Sequence, residues 1–560
     1  MLTLERDSGA PPFRAPRLWA LPLWAHVLAY AALLLVVVPL AHVDLPFTTD
    51  EGLYGLQAES LRDGQWERPY RMADVDPEGR WFPYRNAEVV GDRYYPLAKR
   101  PFYSTLLEAT TSVAGDVYGL VLLSLLGAVV TAAAAWLIAA EVSPELSRRA
   151  FWLAGLGPVA IQSSLVWAHA LSAALAGLAF LAALRVARRP ASTAALAALA
   201  AACGLGVLVR AEGLLIAVAV AIPLGVIVAS RRGLVRGAAV AAVAVGAAGT
   251  ALLVEARWIA AIHDGLPTVA LARTSERTGY LAGRITGAWH SLLQGAYDEP
   301  LASLVLAAMV VVIVLAARAA RESERASAAP ALLGVAAALL FARTAMAPAE
   351  PVPGLLAAWP VGLLGLLLVR RLSSEQAVLA AGAVLFTAAV LVTQYPQGGG
   401  LEWGGRFFAP LLAPLAVLAA AGLVRPEREA TLGRRMAVPV LVLFLLPLVL
   451  GVNAVRDGRA YGDRVVDDVV SHSTEVVVTD VDALPLFAWR HDAAHRWLLV
   501  PAAERADALD ALHRRGVSEL TLVVAASGRT DTGLYSDVSD VTTPPVARAG
   551  LRMLVLRDPA

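Results

Sequence analysis

Two adjacent carboxylates open the stretch Thr48-Thr49-Asp50-Glu51-Gly52-Leu53-Tyr54, and they invite different uses. Thr48 and Glu51 stand at capping-box spacing, so each can satisfy the other's backbone N–H at the start of a helix. Asp50 also suits the positive end of the helix dipole. A carboxylate at the mouth of a membrane cavity can instead act as a general base, taking the proton from an attacking hydroxyl. Successive helical residues point about 100° apart. Asp50 and Glu51 are therefore expected to divide the work, one as base and one as orienting partner.

Cationic and aromatic groups follow. The stretch Tyr94-Tyr95-Pro96-Leu97-Ala98-Lys99-Arg100-Pro101-Phe102-Tyr103 holds the single lysine of the chain, whose 47 Lys and Arg residues are otherwise all arginine. A compact ammonium suits a site that a planar guanidinium fork would not fit. Later stretches are Leu208-Val209-Arg210-Ala211-Glu212-Gly213-Leu214 and Gly404-Gly405-Arg406-Phe407-Phe408-Ala409-Pro410, with His169 near the start of another apolar run. Arg210 and Glu212 can simply pair across a tight turn. Arg406 can anchor a span at the interface, and His169 reads first as a satisfied interfacial histidine. Yet charges near membrane depth are costly and usually mark a functional cavity.

The elements that must position these groups are membrane spans. The chain is 58% hydrophobic and only 17% charged, against about 25% charged in a soluble domain. Apolar runs predict about 13 spans, at 21–43, 117–140, 150–167, 169–186, 191–209, 211–229, 234–254, 300–317, 331–347, 354–370, 376–393, 407–424 and 436–454. Arginine clusters occupy every second loop, from Arg148/Arg149 to Arg434/Arg435. That alternation predicts an N-terminus inside and a C-terminus outside. The first span lacks an obvious A-x-A cleavage site and reads as a retained anchor.

Under this topology three stretches lie outside: the loop 44–116, a loop at 255–299 expected to be helical and interfacial, and the tail 456–560. The loop helix near residue 50 has an apolar face of Leu53, Leu56, Ala58 and Leu61, as expected for a helix lying on the membrane surface. The tail predicts a small extracytoplasmic α/β domain with strands at Glu475–Thr479, Leu520–Ala525 and Leu551–Leu556 and a helix at Ala503–Arg515 ended by Gly516. The fold class is thus an α-helical polytopic membrane protein, residues 1–455, with that domain attached.

Asp50-Glu51-x-x-Tyr54 followed by Ala58 and Gly64, then Lys99-x-Pro101-x-Tyr103, resembles the first-loop pattern of the GT-C glycosyltransferases. The similarity is to protein O-mannosyltransferases and lipid A aminoarabinose transferases. The Arg210-Ala211-Glu212 turn and the Gly404-Gly405-Arg406 approach to a late span are similar to arginine-bearing segments of the same family. Two departures stand out: Ala98 replaces the acidic residue that often precedes the lysine, and Arg100 displaces the second proline of the Lys-Pro-Pro form.

The resemblance implies a GT-C fold and an inverting transfer of a sugar from a polyprenyl-phosphate donor to a lipid, glycan or protein acceptor at the outer face. It implies Asp50 and Glu51 as the catalytic pair. Tyr54, Lys99, Arg100, Tyr103, His169, Arg210, Glu212 and Arg406 are then the substrate-binding set. No cofactor is required by these motifs; a divalent cation, Mg2+ or Mn2+, is the one candidate, because some GT-C relatives use one. Asp74-Val75-Asp76 and Asp480-Val481-Asp482 have the form of a nucleotide-sugar metal site but lie outside, where nucleotide sugars are not supplied. No P-loop, zinc spacing or nucleophile elbow is present. The lone Cys203 offers no disulfide, and a net charge of +1 gives no nucleic-acid signal. A transporter is the rival reading; it would favour paired broken helices, which the hydropathy pattern does not show.

Overall fold

The computed structural model describes residues 21–41, 46–84, 87–95, 100–262, 280–293, 300–322, 325–346, 354–393, 404–424, 430–526, 535 and 537–558. Lys99 and the 263–279 and 294–299 parts of the expected interfacial loop lie outside the described residues.

Leu23–Leu40 (α1) leads to Thr49–Arg62 (α2) and a small antiparallel sheet of Arg68–Pro69 (β1), Glu88–Val90 (β2) and Arg93–Tyr95 (β3), in the order β1-β3-β2. Pro101–Val142 (α3) kinks at Gly115, whose φ of 77° is open to glycine. Ser147–Gly155 (α4), Pro158–Gln162 (α5), Ala168–Arg188 (α6), Thr193–Val209 (α7), Glu212–Arg232 (α8) and Leu234–Ile262 (α9) form the first bundle. Tyr280–Leu292 (α10), Pro300–Arg321 (α11), Ala329–Met346 (α12), Leu355–Ala358 (α13), Pro360–Leu368 (α14), Ser374–Thr393 (α15) and Leu412–Leu423 (α16) continue it. Ala430–His472 (α17) closes the membrane part.

The protein is a multi-pass membrane protein. Among the described residues, ten helices are long and apolar enough to cross a membrane. Of the thirteen expected spans, the remaining three fall on α7, a shorter apolar helix of 17 residues, and on two interrupted segments. Those at 150–167 and 354–370 are not the continuous helices expected. Pro158 opens α5 and Pro360 opens α14, because proline has no N–H for the preceding turn and its ring crowds that turn. The two breaks pack together: Trp359 Nε1 donates to the Leu153 carbonyl at 2.9 Å. Paired broken helices are therefore present, contrary to the hydropathy reading. Alanine-rich faces, such as Ala128, Ala132 and Ala135 on α3 and Ala173 and Ala176 on α6, are fully or almost fully buried. Small residues of this kind let backbones approach where lipid supplies no hydrophobic drive.

Helix α17 runs 43 residues, about 65 Å at 1.5 Å per residue, so it crosses the expected division at 455/456 without interruption. Beyond it lie Val476–Thr479 (β4), Leu484–Phe487 (α18), Arg496–Leu499 (β5), Arg505–Arg514 (α19), Glu519–Ala525 (β6), Asp537–Asp540 (β7), Pro544–Arg548 (α20) and Leu551–Arg557 (β8). The sheet order is β5-β4-β6-β8-β7. β4 pairs in parallel with β5 and β6, while β8 is antiparallel to β6 and β7. Strands β5 and β7 escaped the sequence reading; β7 carries Asp537 and Asp540 and is mostly exposed, so it lacks an alternating apolar face.

The first loop and the tail share one apolar core. Leu53, Leu56, Tyr70, Trp81 and Tyr84 pack with Val476, Leu498, Leu520 and Leu554. Arg71 donates to the carbonyls of Asp492 and Ala493 at 3.1 and 2.7 Å. Asp492 accepts from Tyr84 and faces Arg68 at 3.4 Å; burial pushes its carboxyl above the usual range, against the Tyr84 and Arg68 partners. Helix α2 is consequently not a surface helix. Its residues from Glu51 to Ala58 are all buried, because the tail domain covers the face that does not rest on the spans.

Contact is closest at two glycines. A Cβ on Gly52 would lie 2.0 Å from the Leu486 carbonyl oxygen, and one on Gly55 would lie 2.6 Å from the Trp489 ring. Gly52→Ala should therefore force α2 and α18 apart at a cost of about 1–3 kcal/mol. Thermal unfolding in detergent would show it as a lowered midpoint; an unchanged midpoint would mean that the two elements do not pack this closely.

Candidate active site at the membrane end of the first loop

The capping box at the start of α2 forms as the spacing requires. Glu51 Oε2 accepts from the backbone N–H of Phe47 at 2.6 Å and of Thr48 at 2.9 Å. Its other oxygen accepts from Val166 N at 2.9 Å and from the Arg459 guanidinium at 2.7 Å. Four donors thus surround one carboxylate whose side chain is 2% exposed. Both oxygens of Glu51 are occupied by donors from the protein itself.

Asp50 stands one residue earlier and differs. Its side chain keeps 21% exposure, and Arg406 Nη1 reaches it at 3.2 Å. Arg406 lies over the rings of Trp167, at 5.0 Å, and Phe407, at 5.4 Å, a placement that suits a delocalised cation. Trp167 Nε1 donates to the Thr48 hydroxyl at 3.2 Å, fixing this wall to the cap of α2. His169, buried, sits with its ring 5.4 Å from Trp167 and 5.9 Å from Phe407. The backbone reaches Arg406 through Gly404 and Gly405, with φ of 70° and 59°, which favour glycine. A Cβ on Gly404 would meet Pro158 at 2.3 Å and Ala358 at 3.5 Å. The two helix breaks therefore lie directly behind the arginine.

Arg210 and Glu212 pair in a bidentate fork, at 3.0 and 2.7 Å, on the tight turn between α7 and α8. Gly213 allows that turn, since a Cβ there would lie 2.2 Å from the Gly206 carbonyl carbon. Arg210 also lies near the Phe407 ring, at 5.8 Å, so both guanidinium groups contact the same aromatic side chain. Tyr54 stacks edge-on against the buried Tyr103 at 5.0 Å. Burial pushes the Tyr54 hydroxyl well above its ordinary value; Arg210 and Arg406 pull it down, while Asp50 and Glu212 push it up. Two positive and two negative charges thus act on one phenol, which stays a neutral hydrogen-bonding group. Arg100, at the start of α3, forms an ion pair with Glu255 of α9.

Of the sequence candidates, the structure gathers Asp50, Tyr54, Tyr103, His169, Arg210, Glu212 and Arg406 around this wall, and Arg100 pairs with Glu255. Lys99 lies outside the described residues, immediately before Arg100. Three contributors escaped the sequence reading. Glu255, the one acid of a mostly apolar helix that also carries Arg236 and Arg257, carried the signal of a charge at the end of a span. Trp167 and Arg459 carried none, since an aromatic at a span end and an arginine in the tail are ordinary.

Both Asp-x-Asp triplets serve local structure. Asp76 accepts from Tyr70 and from the N–H groups of Arg80 and Trp81 at 2.7–2.8 Å, and Asp480 pairs with buried Arg505 at 2.8 Å. Among the described residues, no three His, Cys, Asp or Glu side chains gather to hold a metal ion.

No protein-family model and no curated protein matches the chain. Among solved structures, it is similar to ArnT from Cupriavidus metallidurans in the apo state, with 13% identity and a TM-score of 0.48 over 95% of this chain and 98% of that one. The same protein bound to undecaprenyl phosphate matches at 16% identity and a TM-score of 0.44, over 98% and 99% of the two chains. The archaeal oligosaccharyltransferase AglB from Archaeoglobus fulgidus, in complex with an inhibitory peptide and a dolichol-phosphate, matches at 13% identity and a TM-score of 0.46, over 90% of this chain and 69% of that one.

Proposed function

We propose that the protein is an inverting glycosyltransferase that moves a sugar from a polyprenyl-phosphate donor to an acceptor hydroxyl at the outer face of the plasma membrane. The observation that carries this reading is the unequal fate of the two carboxylates. Glu51 is enclosed by four donors, whereas Asp50 remains partly exposed and aimed by Arg406, beside further arginines at the ends of the spans.

The chemistry follows from that placement. Asp50 takes the proton from the acceptor hydroxyl as its oxygen attacks the anomeric carbon. The bond from that carbon to the lipid phosphate breaks, the sugar passes through a cation-like transition state as in glycoside cleavage, and negative charge grows on the departing phosphate. A single displacement inverts the anomeric centre. Arg210, Arg406 and Lys99 are the candidates to meet the growing charge, and loss of one such fixed group typically costs a few kcal/mol of barrier. A guanidinium carries five N–H donors, so an arginine that orients a carboxylate can still grip phosphate oxygens. Tyr54 supplies a neutral hydroxyl between the charges.

Location matters to the donor. A transferase working outside the membrane needs an activated sugar that can reside in or cross it, and a polyprenyl-phosphate sugar meets that need. The paired breaks at α4/α5 and α13/α14 are the specific observation that favours a lipid transporter as a second reading. Incubating purified protein with labelled polyprenyl-phosphate sugars separates the two: covalent transfer of label to an acceptor supports the enzyme, and movement of intact donor across vesicles supports the transporter.

Asp50→Asn keeps the size of the side chain and removes its basicity, so turnover should fall steeply while donor binding persists. Turnover near that of the native protein would remove Asp50 as the base. Lys99→Ala should weaken donor binding through loss of a charge-assisted bond, and Lys99→Arg should restore it only in part because the fork is wider. Native donor affinity in both variants would leave Arg210 and Arg406 as the phosphate ligands. A reporter active only in the cytoplasm, fused to the 476–557 domain, should be silent; activity there would place the site on the inner side.

A further inference from the structure

Arg459 takes no part in the chemistry described above, yet it is completely enclosed where the first loop meets the spans, with 0% exposure. A charge buried so deeply is expensive unless it is paired and hydrogen-bonded. Its guanidinium donates to the Ala41 carbonyl at the end of α1 at 2.9 Å, to the Ser164 carbonyl between α5 and α6 at 2.9 Å, and to Glu51 Oε1 at 2.7 Å. Four separate segments of chain therefore meet at one side chain of α17. One residue away on that helix, Gly458 leaves room for the Phe47 ring, which a Cβ there would approach to 2.8 Å. Phe47 is the residue whose N–H donates to the same Glu51 carboxylate.

We propose that Arg459 is a positioning residue for Asp50, acting through Glu51. The inference deepens the transferase reading and rests on it for its kinetic arm. A buried ion pair gives little net stability relative to apolar replacements, and a well-attested use is fixing register. Here the register fixed is that of the first turn of α2. Arg459 and Val166 N hold Glu51 from one side, the backbone of Phe47 and Thr48 closes the other, and Asp50 is left pointing at Arg406. Because α17 continues into the tail domain, and that domain packs on Gly52 and Gly55 of α2, the tail is part of what holds the base in place.

Arg459→Lys is the main test, since an ammonium keeps the charge but cannot span three acceptors in the fork geometry. Arg459→Met is its stronger companion. A misplacement of the base by about 1 Å costs on the order of a hundredfold in rate, so kcat should fall by up to that factor while donor KM stays unchanged. In an Asp50→Asn background the Arg459 substitutions should lower the residual rate no further, because their effect passes through the missing carboxylate. An equal further loss in that background would overturn the proposal, as would a native kcat in both Arg459 variants.

A second readout needs no substrate. Amide hydrogen exchange across residues 49–62 should speed up in Arg459→Lys while the 476–557 sheet keeps its protection. Unchanged exchange at 49–62 would overturn the positioning role whatever the kinetics. If the native protein transfers no sugar from any donor, the transferase reading fails, and the exchange measurement still decides whether Arg459 holds α2.

Discussion

The end of this protein where the first loop meets the spans is organised around the Glu51 carboxylate. A buried negative charge must be matched by donors or it neutralises, and here two backbone N–H groups of its own cap, one from the 163–166 turn and one guanidinium from α17 supply the match. Each donor comes from a stretch of chain that has its own reason to be there. The capping box starts a helix, the 163–166 turn ends a broken span, and Arg459 closes the end of α1. Satisfying one carboxylate thereby locks the relative positions of segments separated by up to 408 residues in sequence. What it leaves over is Asp50, the acid that the clamp does not consume.

Helix interruptions build the wall that Asp50 faces. A continuous span presents a cylinder of side chains to its neighbours, and a concave polar site needs backbone that departs from it. Pro158 and Pro360 enforce such departures, and Gly404 and Gly405 thread between them to deliver Arg406. Irregular backbone is tolerated at membrane depth only where protein or a water-filled cavity covers it. Trp359, donating to the Leu153 carbonyl, supplies one of the hydrogen bonds that such a break would otherwise leave open.

The tail domain is bound into the same design. Its sheet shares a core with Tyr70, Trp81 and Tyr84 of the first loop, and its α18 lies against a glycine face of α2. A helix covered by spans below and by a domain above cannot slide or tilt freely. The arrangement gives the tail a packing role beside the site.

The sequence by itself determined the membrane class, the near-complete set of apolar helices, the capping box at Thr48 and Glu51, and the charged positions now found around Asp50 and Arg406. These are local properties: run length sets a span, and a spacing of three sets a cap. Only the tertiary structure decided which carboxylate is enclosed, since the donors from Val166 and Arg459 lie 115 and 408 residues from Glu51. It likewise decided that 150–167 and 354–370 are broken, because hydropathy averages across a proline that geometry must go around. Strand β7, exposed and acidic, forms because β8 offers it an edge to pair with. Periodicity reports which face of an element is apolar, whereas the partner that covers the face is set by the folded chain alone.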